Sequence, residues 1–136
     1  MRLSKNFVLS EITRSNTAKR LGISNEPTKK HLESMQRIVS NLVQPMRDQL
    51  GPIRITSGYR NSSLNRAIGG SSKSQHCKGE ALDLQFWEMG QMNNKIIYSW
   101  IHLSLKEKDN RKQVLIAYKD DDGDTAYKYA PDIHII

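Results

Sequence analysis

Apolar and polar residues follow two different periods along this chain. Leu32, Met35, Ile38, Val39, Leu42, Val43, Met46 and Leu50 recur at spacings of three and four, the single stripe of an amphipathic helix. That helix is predicted from about Thr28 to Leu50, with Gly51-Pro52 ending it. A kink or break is expected at Pro45, which has no main-chain N–H to donate. An earlier helix is expected behind Ser10 as its N-cap, stopping near Gly22. At Ile53-Arg-Ile-Thr-Ser the period drops to two, the signature of a half-buried strand. A short helix follows at 61–68, closed by Gly69-Gly70, then a loop over 71–78 and strand character at 80–86. Ile96, Ile97, Trp100, Ile101 and Leu105 return to the helical period, which predicts a helix over 91–106. Two strands, 113–118 and 125–129, are predicted around a turn at 120–124, and the tail at 133–136 extends the last strand or adds another. Helices come first and strands mixed with helices afterwards. This order predicts an α+β fold: a small, mainly antiparallel sheet with helices packed on it.

Size and charge bound the picture further. The 136 residues fit one domain, 1–136, large enough to fold without disulfides, and the lone Cys77 leaves no intramolecular disulfide to form. No stretch approaches the length of a membrane span, and the start of the chain lacks the apolar run of a signal peptide. Synthesis in a cytoplasm is therefore expected; a substrate outside the membrane would require another agent to release the protein. The formal net charge of +7 suits a polyanion, whether nucleic acid, acidic lipid or an anionic cell wall. The basic residues are scattered, and no recognition helix, RNA-binding aromatic motif or basic arm is present, so no specific nucleic-acid partner is expected.

The stretch richest in chemistry is Ser74-Gln-His-Cys-Lys-Gly-Glu-Ala-Leu-Asp83. A histidine in a polar loop is followed seven residues later by an aspartate among Ala81, Leu82, Leu84 and Phe86. A carboxylate in such a strand is costly to bury unless its charge is compensated. A zinc ion would compensate it, with imidazole and carboxylate as ligands; an arginine partner would do so too. Gly79 lets the chain turn between loop and strand, so that His76 can fold back toward Asp83.

This motif, Ser-x-His-x-x-Gly-x-Ala-x-Asp, follows Ile55-Thr-Ser-Gly-Tyr-Arg60 and Leu64-Asn-x-x-x-Gly-Gly70. Together they resemble the zinc D-Ala-D-Ala carboxypeptidases, a group that includes vancomycin-resistance dipeptidases and phage endolysins and shares its fold with the Hedgehog signalling domain. The resemblance runs from Phe7 to the C-terminus. It implies that His76 and Asp83 are zinc ligands and that a histidine on a strand near the C-terminus is the third. Two histidines compete for that place. Trp100-Ile-His102-Leu-Ser looks like the family's last ligand segment, but the helical period around it puts His102 on a helix, so His134 is expected to be the third ligand. Three protein ligands leave a position for water, the arrangement of a catalytic zinc.

The same resemblance gives Arg60 the role of stabilising an oxyanion or a substrate carboxylate, for which a guanidinium fork is well shaped. Ser74 and Gln75 are expected to donate hydrogen bonds near the substrate. The family's general base is a glutamate three residues before the last histidine; this chain has Pro131 there, and Asp132, on the same face of the tail as His134, is the expected substitute. Glu80 has the opposite strand parity to Asp83 and is not expected to serve. The acids at 120–124 lack the glycine and glutamate positions of a calcium-binding loop and read as a turn.

The implied function is a zinc peptidase acting on the peptide stems of bacterial peptidoglycan, as a D,D-carboxypeptidase or endopeptidase. Its expected setting is a phage or prophage lysin, and the chain is expected to act as a monomer. The missing glutamate supports an alternative: a zinc-binding module of the same fold that attaches to the wall or belongs to a virion without turnover.

Overall fold

The computed structural model describes residues 1–87, 96–110, 115–119 and 121–129. Two short helices open the chain, α1 (Leu9–Thr13) and α2 (Asn16–Leu21), where one longer helix was expected. The break follows from Ser15, whose side chain accepts the Ala18 amide and caps a new helix. Gly22 ends α2 in the left-handed conformation at φ 66°. α3 (Lys29–Ile38) starts behind Thr28, whose hydroxyl accepts the His31 amide.

A kink or break was expected at Pro45; the irregularity lies just ahead of it, a π-helical segment, Val39–Val43, leading into α4 (Gln44–Leu50) with Pro45 in its first turn. Widening the turn shifts the hydrogen-bond register by one residue, and the amide of Gln44 reaches back to Val39. Val39 and Val43 stay fully buried across the irregularity. The packed stripe therefore outweighs the local cost.

β1 (Ile53–Ser57) is followed by α5 (Ser62–Ala67), capped by Asn61, and by a single 3-10 turn, Gln75–Lys78. β2 (Ala81–Trp87) pairs antiparallel with both β1 and β3 (Ile96–Ser104), so the sheet order is β1-β2-β3 with β2 central. β4 (Leu115–Lys119) and β5 (Thr125–Tyr129) form a separate two-stranded hairpin.

β3 corrects the helix predicted over 91–106. Apolar residues at 96, 97, 100, 101 and 105 satisfy a helical stripe, but this segment is rich in isoleucine and aromatic residues that also suit a strand. Pairing with β2 decides the matter. Ile101 and Leu103 then pack against the core, while His102 between them points to the other side.

The core lies between one face of the three-stranded sheet and the helices. Ile55, Leu82, Leu84 and Phe86 from the sheet meet Ile12, Met35, Ile38, Val39 and Val43 from the helices. The opposite face of the sheet is left for polar residues.

Candidate metal centre

The site is built on β2. Leu82, Leu84 and Phe86 are buried on the core side, so Asp83 and Gln85 project from the open side. Asp83 lies opposite Ser57 on β1 and opposite His102 on β3. His102 Nδ1 stands 2.7 Å from Asp83 Oδ1.

His76 approaches from the other side. It occupies the 3-10 turn, which Ser74 caps through its hydroxyl and Gly79 ends at φ 71°. A side chain on Gly79 would also strike the His31 carbonyl at 2.5 Å, so this turn can press against α3 only with glycine there. The turn is tied to the segment after β1 at two points. The Arg60 amide donates to the His76 carbonyl, and His76 Nδ1 donates to the Gly58 carbonyl at 2.7 Å. With Nδ1 held by the main chain, Nε2 is the nitrogen left for chemistry, and it faces Asp83 Oδ2 at 3.5 Å. Gly58 in turn packs so tightly on α1 that a Cβ would lie 2.3 Å from the Ile12 carbonyl.

Exposure rises in order across the three side chains: 6% for His76, 16% for Asp83 and 42% for His102. The centre therefore opens to solvent on the His102 side. Burial disfavours charge on Asp83, but hydrogen bonds from His102 and His76, together with their positive charge, outweigh it and hold the carboxyl far below the usual carboxylate range. A carboxylate kept ionised between two imidazoles is a donor set for a divalent cation. His76, Asp83 and His102 each offer a ligand atom, all within 4.8 Å of one another. Two nitrogens and one oxygen at such distances suit zinc with a position to spare.

The histidine brought to His76 and Asp83 is thus His102, the one that the helical period had argued against. Its cross-strand place opposite Asp83 was hidden because it depends on the register of β2 with β3. A signal was present in Ile101-His-Leu-Ser104, where apolar and polar residues alternate at a period of two. The expected ligand His134 and the expected base Asp132 both lie outside the described residues.

Arg60 stands beside this centre, with Nη2 donating to the Ser74 hydroxyl at 3.3 Å and Nε buried without a partner among the described residues. Ser74 serves both the turn and Arg60, since its hydroxyl also accepts the His76 amide. The Gln75 carbonyl accepts the Glu80 amide and so closes the loop onto β2.

Asn25 was not singled out from the sequence. It is buried, and its side-chain NH2 donates to the carbonyls of Thr13 and Tyr59 while its carbonyl accepts the Asn61 amide. The residues on both sides of Arg60 are held by this one amide. Only the fold could reveal it, because the partners lie 12 to 36 positions away.

Comparison with known proteins fits this geometry. The family model described as Peptidase M15 matches residues 5–104. No curated protein matches the chain. The matched span holds His76, Asp83 and His102 together with Arg60, and it ends two residues after His102. Covering well over half of the 136 residues, it shows that the chain belongs to the M15 family of zinc D-Ala-D-Ala carboxypeptidases and is a metallopeptidase by descent.

Proposed function

We propose that this chain is a zinc peptidase that hydrolyses peptide bonds in the peptide stems of bacterial peptidoglycan. The carrying observation is Asp83 flanked by His76 and His102 on the open face of the sheet, inside the span matched to the family. In this reading His76, Asp83 and His102 are the protein ligands. When bound, zinc supplies Lewis acidity toward a peptide carbonyl and toward water. His76 holds its ring orientation through the Gly58 carbonyl, which keeps Nε2 available. Arg60 offers its guanidinium to the negative charge that develops on the attacked carbonyl oxygen. Asp132 is assigned the proton transfer to the leaving amine. The net charge of +7 favours approach to an anionic wall, and a phage or prophage lysin is the setting proposed.

One observation favours a second reading, a wall-binding module that holds zinc without turnover. The residue three positions before His102 is Ser99, and before His134 it is Pro131; neither is an acid.

Metal analysis of the purified chain beside three single variants, with a wall-digestion assay, tests both readings. The expected result is one zinc per chain, lost in His76→Ala and His102→Ala and kept in His134→Ala, with new amino groups released from peptidoglycan. Zinc retained in His102→Ala and lost in His134→Ala would move the third ligand to the tail. Loaded protein that releases no amino groups from any wall type would leave the binding module.

A further inference from the structure

The sheet carries a second charged feature beside the metal centre. A groove of about 430 Å³ lies along β1, and Arg14, Arg54, Ser57 and Arg60 are among the residues that line it. β1 is an edge strand, so its outer side has no strand partner among the described residues. Arg14 reaches across that edge, its Nη2 donating to the Ile55 carbonyl at 3.3 Å. Arg54 pairs in register with Gln85, two residues from Asp83 on β2, and its side chain is exposed on the same open face. The groove and the metal centre share the segment at 57–60, since the Gly58 carbonyl holds His76 and Gly58 also lines the groove.

Three of the groove's lining residues are arginines and none is acidic. Among the described residues no carboxylate pairs with any of the three. Guanidinium groups keep their charge at any physiological pH, so gathering them along one groove is unfavourable until an anion joins them. Arg60 lines the same groove, and its Nε is buried without a partner among the described residues.

We infer that this groove is a subsite for the carboxylates of an extended acidic peptide, with Arg14 and Arg54 as its specificity determinants. The inference rests on the proposed peptidase function and deepens it: the chain selects stem peptides with free side-chain carboxylates near the scissile bond over their amidated forms. Carboxylate is favoured over the phosphates of a wall polymer because the groove lining includes Arg60 and Ser57, the residue opposite Asp83 on the neighbouring strand. Its occupant is then continuous with the peptide to be cut. The planar guanidinium fork also matches a carboxylate through two parallel hydrogen bonds.

The test uses the zinc-loaded full chain and two fluorescent peptides of identical sequence, one with glutamates flanking the scissile bond and one with glutamines there. Inorganic polyphosphate serves as a third probe. At low salt the acidic peptide is expected to bind about tenfold more tightly than the amidated one. Arg54→Gln, which removes no hydrogen bond seen among the described residues, is expected to erase most of that preference while zinc content and melting temperature stay unchanged. Arg14→Gln is expected to do the same with a small loss of stability from the Ile55 contact. Equal affinity for the two peptides, or a preference that survives both substitutions, overturns the inference. Polyphosphate binding that exceeds peptide binding and falls with the same substitutions overturns the carboxylate assignment. An arginine-dependent preference without cleavage of either peptide would sink the peptidase reading and leave the subsite standing.

Discussion

The two faces of β2 follow opposite rules. On one face Leu82, Leu84 and Phe86 are buried against α3 and the π-helical segment, where shape and hydrophobicity suffice. On the other, Asp83 stands between two histidines and its value lies in charge and hydrogen-bond geometry. The apolar face can be exchanged for other apolar residues of similar volume at modest cost. At Asp83 this does not hold, because each carboxylate oxygen faces a histidine nitrogen. A residue's contribution here is set by the side of the strand it faces, not by its neighbours in sequence.

The sharpest way to break this contrast is Asp83→Asn. The amide keeps the size of the side chain but loses the charge that draws both imidazoles. Zinc affinity is expected to fall by more than ~100-fold, beyond the range seen when only an outer partner of a ligand is lost. Competition with a chromogenic chelator measures it, and activity should fall in parallel. An unchanged affinity would remove Asp83 from the ligand set.

Leu84→Ala, one residue along, should do the reverse. It leaves a cavity in the core beside its cross-strand neighbours Ile55 and Ile101 and is expected to cost about 2–5 kcal/mol by urea denaturation. The surviving folded protein should still bind zinc. Loss of zinc without loss of stability would show that the two faces are not separable.

Metal removal sharpens the comparison from another side. On the proposed reading, a zinc ion that binds the folded chain and not an unfolded one, at a hundred times its dissociation constant, is expected to add about 2.7 kcal/mol of stability. Stripping with a chelator should lower the melting temperature of the wild type and leave that of Asp83→Asn unmoved.

The smallest effect is expected at Thr28→Ala, remote from both faces. It removes one capping hydrogen bond from α3 and should cost about 1 kcal/mol with no change in zinc content.

Much of this molecule was legible in its residue order. The stripe from Leu32 to Leu50 predicted a helical segment with a kink or break at Pro45, and the structure has α3, a π-helical segment that ends two residues before Pro45, and α4 there. Alternation at Ile53 predicted β1, and Asn61 with Gly69-Gly70 bounded α5. Such features depend on neighbours within a few positions, and local sterics and local hydrogen bonds decide them. The loop-to-strand motif around His76 and Asp83 was readable for the same reason, seven residues apart with Gly79 between them.

What local pattern could not decide was anything resting on long-range pairing. Ile96, Ile97, Trp100, Ile101 and Leu105 fit a helix as well as a strand, and only a free partner edge on β2 selects the strand. That choice carries His102 to a position opposite Asp83, 19 residues away in sequence. Asn25 likewise gains its role only when Thr13, Tyr59 and Asn61 converge on it. The sequence by itself marked the buried stripe, β1, β2 and the motif that holds His76 and Asp83, but it read β3 as a helix. Tertiary structure brought His102 to them, because strand register is a contest between distant segments for the same hydrogen bonds and the same core.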